Sequence, residues 1–174
     1  MHKDGHVGAA LLAFSGVGLV LVESGGFHLA ALGAAVVVGM AMLPDIDHQV
    51  PLLDHRGATH TLLFAIVGGI VTGFVAKIAG AAMGVTVVGS FVVYGYEIVT
   101  LQSYGVLLGT LTLLSHLAAD AITPMGVPLL WPLSKERYSL DLVLAKNTLA
   151  NYVLLVAGVL ATLLWAWPGT TPSA

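Results

Sequence analysis

Residues Ala81–Val99 read AAMGVTVVGSFVVYGYEIV, a stretch long and apolar enough to cross a bilayer, and whether it crosses decides the fold. It is one of six apolar runs, the others being Val7–Val22, Phe27–Leu43, Thr61–Ala79, Tyr104–Ile122 and Thr148–Trp167. If all six span and the N-terminus is cytoplasmic, Asp45 to His60 lie inside and Asp120 outside. Only Lys3 and Arg56 are then inside, against the positive-inside rule. If one of the two runs between Thr61 and Val99 does not cross, Asp120 rejoins the others. Lys3, Arg56, Lys135, Arg137 and Lys146 then face the cytoplasm, with Lys77 alone outside. Ala81–Val99 is the candidate for the non-spanning run, because it is rich in glycine and β-branched residues and carries Glu97. It is expected to be re-entrant or to lie along the outer interface, with its backbone covered by protein.

Composition sets the class. The chain has 174 residues, 57% of them hydrophobic and 9% charged, with a mean hydropathy of +0.96. These values predict an all-α, polytopic transmembrane helix bundle of five or six apolar segments. Residues 1–174 are read as a single integral membrane domain, multi-pass in the inner (cytoplasmic) membrane, with the lipid bilayer as partner. Interior glycines such as Gly16, Gly18, Gly33, Gly39, Gly68 and Gly69 suit closely approaching helices in lipid. A cleavable signal peptide is disfavoured: Asp4 cancels Lys3, Glu23 sits where a small-residue cleavage site is wanted, and another apolar run follows at once. The aromatics near segment ends, Tyr104, Trp131, Trp165 and Trp167, read as interfacial anchors. There is no cysteine, so any metal must be held by nitrogen and oxygen. The net charge of −3, with no basic stripe, excludes nucleic acid as a direct partner, and nothing in the chain specifies an oligomeric state.

The polar chemistry gathers at segment ends. His116 and Asp120 are spaced i and i+4, so a helix projects both from one face, as two ligands of one ion or as a hydrogen-bonded pair. Asp45, Asp47 and His48 follow Pro44 at the end of the second run, where a tight turn converges several donor atoms. His55 and His60 flank the next helix start, with Arg56 between them and Thr59 read as the N-cap. Arg56 offers a planar fork for phosphate or carboxylate, the alternative being topology or lipid-headgroup anchoring. His6, at the start of the first run, lies on the same membrane face if the N-terminus is inside. Unpaired, each such charge beside a bilayer costs several kcal/mol, and a bound metal is the compensation that fits this donor set.

The metal ligands are therefore expected among His6, Asp45, His48, His55, His60, His116 and Asp120. Imidazoles with carboxylates point to a divalent metal, zinc first and manganese second, with enough donors for two ions. Asp47 is the candidate general base, and Arg56 the candidate group for stabilising developing charge. An ion or proton relay uses the same residue types, but it calls for ionisable groups near the bilayer midplane in several helices rather than at one face. A non-enzymatic protein whose ion only locks loops together is a third reading.

Leu43–His48 (LPDIDH), His55–His60 (HRGATH), Ser115–Asp120 (SHLAAD) and Thr123–Pro132 (TPMGVPLLWP), with His6 before Gly8, run in an order that resembles the YdjM-like family of membrane-bound metal-dependent hydrolases. The segment from Tyr138 to Asn151 is closer to archaeal, particularly haloarchaeal, members. The resemblance implies a helical inner-membrane protein with hydrolase activity. The stretch between His60 and His116 is longer than the family's simplest pattern, and the surplus is Ala81–Val99 itself. The order of ligands is also weakly similar to zinc-dependent phospholipase C, which implies a phosphorylated or lipidic substrate.

Cysteines introduced singly near Lys77 and near Gln102, on either side of Ala81–Val99, are expected to label from the same side of the membrane. Labelling from opposite sides would refute the odd number of crossings.

Overall fold

A computed structural model describes residues 1–49, 56–85, 87–93 and 96–166. Among these residues five α-helices form: α1 (Lys3–Glu23), α2 (Phe27–Met40), α3 (Leu62–Ala82), α4 (Leu101–Ala121) and α5 (Thr148–Leu163). Short 3-10 segments cover Pro44–Gln49, Ala58–His60 and Leu164–Ala166. Helices α1 and α2 are joined by a tight turn in which Gly25 takes φ +81 and the Gly26 N–H closes onto the Leu21 carbonyl at 2.7 Å. Among the described residues, three helical stretches are long and apolar enough to cross a membrane, Lys3–Glu23, Phe27–Asp47 and Leu62–Ala82.

Ala81 and Ala82 complete α3, and the described residues after them up to Val99 form no further helix. After α3 ends, the chain forms an antiparallel hairpin of β1 (Val87–Val93) and β2 (Tyr96–Thr100), pairing Val93 with Tyr96 and Val87 with Thr100. Strands of seven and five residues are shorter than the roughly 9–11 needed to span hydrocarbon, and a two-stranded sheet leaves edges that lipid cannot satisfy. Thr100 then caps α4, its hydroxyl accepting from the Ser103 N–H while Ser103 reaches back to the Thr100 N–H.

Small residues set the helix contacts. A Cβ on Gly69 would meet Thr110, one on Gly73 would meet Val106, and one on Gly105 would meet Ala76, so α3 and α4 run antiparallel in close register. Helices α1 and α5 run parallel, with Gly8 against the Leu154 backbone and Gly158 against the Gly8 carbonyl. The buried positions of α3 are Ala65, Gly69, Gly73 and Gly80, while Val71, Phe74 and Ile78 point outward. That arrangement suits a lipid surround, where packing between helices rather than exclusion of large apolar groups drives association. Phe14, Val17, Leu21, Val37, Tyr104 and Leu108 fill the main core between α1, α2 and α4.

Two expectations change. Thr61, not Thr59, caps α3, accepting from the Phe64 N–H at 3.0 Å, because Thr59 turns inward to donate to Asp47. Trp165 and Tyr104 are not interfacial: both are buried, Trp165 donating to the Ser15 carbonyl and Tyr104 to the Leu29 carbonyl. Trp167 lies outside the described residues.

The start of α1, the end of α2, the starts of α3 and α5 and the end of α4 share one end of the bundle, as shown by contacts of His6 with Asp120, His60 with Asp45, and His2 with Asn151. Gly8→Ala, whose Cβ would lie 2.3 Å from the Leu154 backbone, is expected to destabilise the bundle by about 1–3 kcal/mol. Gly39→Ala, with nothing within 4 Å, should leave the thermal-unfolding midpoint in detergent within error of the native chain.

Candidate metal centre

Proline at position 44 cannot continue α2, and the chain tightens into the 3-10 segment that carries Asp45 and Asp47. Arg56 takes a left-handed φ of +54, which turns its N–H onto Asp47 Oδ2 at 2.9 Å. The Ala58–His60 turn then delivers His60 to the same point, and the last turn of α4 delivers His116 and Asp120. All of these side chains except Asp45 are less than 10% exposed.

One donor atom from each of Asp45, His60, His116 and Asp120 lies within 4.8 Å of every other. Five of the six separations fall between 3.3 and 3.5 Å, and the sixth, between the two carboxylate oxygens, lies within 4.8 Å. Asp45 Oδ1 is 3.3 Å from His60 Nε2 and 3.5 Å from His116 Nε2. Asp120 Oδ2 is 3.4 and 3.5 Å from the same two nitrogens, which are 3.3 Å apart. A tetrahedral site with nitrogen and oxygen ligands at about 2.0–2.1 Å has edges of about 3.3–3.4 Å. Asp120 Oδ2 also has no hydrogen-bond partner among the described residues. Geometry and donor chemistry therefore fit a divalent ion, and this group can hold one.

The surroundings orient the donors. His116 Nδ1 donates to the Ala41 carbonyl at 2.7 Å, which leaves Nε2 with its lone pair toward the quartet. His60 turns Nδ1 away from the quartet, 3.0 Å from the Thr59 hydroxyl and 3.4 Å from Asp47 Oδ2. Asp47 itself accepts from the Arg56 N–H and from Thr59. Arg56 donates to Asp120 Oδ1 at 2.6 Å, to Thr123 at 2.9 Å and to the Gly126 carbonyl at 3.3 Å. The amino group of Met1 reaches Asp120 Oδ1 as well. Burial alone would lower the pKa of His60, but the Asp120 and Asp45 carboxylates 3.4 and 3.3 Å from its Nε2 outweigh it and the net direction is upward. The two carboxylates thus draw positive charge onto their neighbours, the electrostatic demand a cation meets.

Of the residues singled out from sequence, Asp45, His60, His116 and Asp120 form the quartet, and His6 lies beside it, 3.4 Å from Asp120 Oδ1. Asp47, the candidate general base, sits behind His60, and Arg56, the candidate charge-stabilising group, is buried against Asp120. His55 and the side chain of His48 lie outside the described residues. Sequence reasoning missed the Ala41 carbonyl and the role of Thr123, since a backbone acceptor carries no side-chain signal and threonine is common in loops.

Comparison with known proteins agrees with this arrangement of motifs. The family described as YdjM inner membrane protein matches residues 1–172. The inner membrane proteins YdjM of Escherichia coli K12 and of Shigella flexneri are each 31% identical over 129 residues. The match covers 64% of this chain and 56% of each relative, so the chain spans little more than half the length of these relatives. No solved structure matches.

Asp47→Asn is expected to weaken metal binding about 10- to 100-fold, the usual effect of losing a carboxylate behind a ligating histidine. Competition against a chromogenic chelator measures it, and an unchanged affinity would remove Asp47 from this role.

Proposed function

Because this chain belongs to the YdjM inner membrane protein family, we propose that it is a multi-pass, membrane-bound, metal-dependent hydrolase acting on a phosphorylated or lipidic substrate. The observation that carries the reading is the convergence of one donor atom each from Asp45, His60, His116 and Asp120 to within 4.8 Å of one another inside an otherwise apolar bundle. Zinc suits two imidazoles with two carboxylates, and manganese is the second choice. Such an ion supplies Lewis acidity to a substrate oxygen and to water.

The protein's own groups do the rest. Asp47 holds His60 in the ligating tautomer, and the Ala41 carbonyl does the same for His116. Arg56 keeps Asp120 charged and aimed inward. Asp45 is the partly exposed member of the quartet, at 13%, so substrate approaches from its side. The five helices cross the bilayer with the site at the cytoplasmic face. Lys3, Arg56, Lys135, Arg137 and Lys146 belong to segments at the site end of the bundle, whereas Lys77 lies toward the far end of α3. The site is then at headgroup level, within reach of a lipid phosphate. An ion or proton relay is disfavoured, because the quartet and His6 gather at one end of the bundle rather than along a transmembrane path.

Metal analysis of detergent-purified protein is expected to find a stoichiometric divalent ion in the native chain and to lose it in His60→Ala and Asp120→Ala, together with hydrolysis across a panel of phosphoesters and phospholipids. Native protein without metal would overturn the proposal. Metal without hydrolysis would leave an ion that only locks the loops.

A further inference from the structure

We propose that a cleft between the end of α4 and the start of α5 binds the headgroup of an anionic phospholipid, with Arg56 and Lys146 on its phosphate and the neighbouring leucines on its chains. This is a binding role separate from hydrolysis, and it rests only on the placement of this end of the bundle at headgroup level.

The cleft has a volume of about 480 Å³, within the size range of ligand pockets, and Arg56, Thr123, Met125, Leu144 and Lys146 are among the residues that line it. No carboxylate is among them: Glu136 and Asp141, the acids of the segment between α4 and α5, line no part of it. Arg137 adds a third cation, its guanidinium reaching the Arg56 carbonyl at 3.4 Å rather than an acid. Asp120 balances the charge of Arg56, which leaves those of Arg137 and Lys146 for an anion to meet. Arg56 also has donors to spare. Its Nη1 and Nη2 atoms meet Thr123, the Gly126 carbonyl and Asp120, while its buried Nε has no hydrogen-bond partner among the described residues. A planar guanidinium with unused N–H groups suits phosphate.

The surroundings of the cleft select a lipid over a soluble anion. The segment after α4 is pinned in place: the Leu140 and Leu142 N–H groups donate to the Ala121 and Ile122 carbonyls at 2.8 and 2.9 Å, and Val127 pairs with Tyr138. Met125, Leu140, Leu142 and Leu144 are nevertheless each more than half exposed. In water these side chains would forgo the transfer energy of burial, which the membrane surface restores. The exposed surface continues along α5 through Leu149, Val153 and Val156, a single helical face directed at lipid. Cations beside ordered, outward leucines match an amphiphile with a negative headgroup.

The cleft and the metal centre do not compete for one donor. Arg56 holds Asp120 Oδ1, whereas Asp120 Oδ2 belongs to the quartet. Asp45, from whose side substrate approaches, does not line the cleft.

Native mass spectrometry of the detergent-purified protein counts retained lipid. The native chain is expected to retain one phosphatidylglycerol in preference to phosphatidylcholine. Lys146→Gln is expected to weaken that retention about five-fold, the effect of one cation beside an anionic headgroup. Lys77→Gln, toward the far end of α3, is expected to leave it unchanged. Leu142→Ser combined with Leu144→Ser is expected to weaken retention as well. Equal retention of the two lipids, or native retention by Lys146→Gln, would overturn the proposal. Full displacement of the lipid by millimolar inorganic phosphate would assign the cleft to the free anion, and a lipid-free dimer that the leucine variant abolishes would assign the face to a second copy; either result overturns it too. Metal content of the same samples reports that the variants are folded. A native chain that keeps the lipid but holds no metal would overturn the metal reading alone.

Discussion

Asp120 is a carboxylate at the end of an apolar helix, 1% exposed, and a charge in that setting costs several kcal/mol unless it is paired and hydrogen-bonded. Its partners come from separate parts of the chain: Arg56 from the loop after α2, His60 from the turn before α3, His6 from the first turn of α1 and His116 from one turn earlier in α4. Each is itself held by a further contact, as with His116 on the Ala41 carbonyl and Arg56 on Thr123. The charge at Asp120 therefore gathers four chain segments at one end of the bundle. Asp45, reaching His60 and His116 from the end of α2, repeats the demand from the opposite side.

A lipid surround gives helices little hydrophobic reason to associate, so the placement of these groups depends on close packing. Gly69, Gly73, Gly105 and Gly109 bring α3 and α4 together with almost no intervening side chain. The register this sets along the pair places His60, before α3, against His116, near the end of α4. The β1–β2 hairpin links the far ends of the same pair, so α4 runs back toward the site.

Spacing and local grammar made part of the site legible. His116 and Asp120 are one helical turn apart, and Asp45 follows a helix-ending proline, so both could be placed on a common surface without coordinates. The difficulties lay with residues whose roles depend on what stands across from them. Thr59 looks like a helix cap because threonine before a helix usually is one, but an inward-facing Asp47 captures its hydroxyl and Thr61 caps instead. Arg56 reads either as a fork for an anionic group or as an exposed anchor, and the burial that favours the first depends on the distant Asp120. Trp165 reads as an interfacial aromatic, whereas Gly18 and Phe14 open a slot for it inside the bundle.

The sequence by itself determined that this is a helical membrane protein and that its ionisable groups lie at helix ends. Hydropathy, proline and helical periodicity are local properties, and those conclusions need nothing more. Only the tertiary structure decided which oxygen of each carboxylate faces which imidazole, and that Asp47 stands behind His60. It also decided that His6 lies against a residue 114 positions away. Those facts depend on helix register and on side chains meeting across the bundle, and no local pattern encodes either.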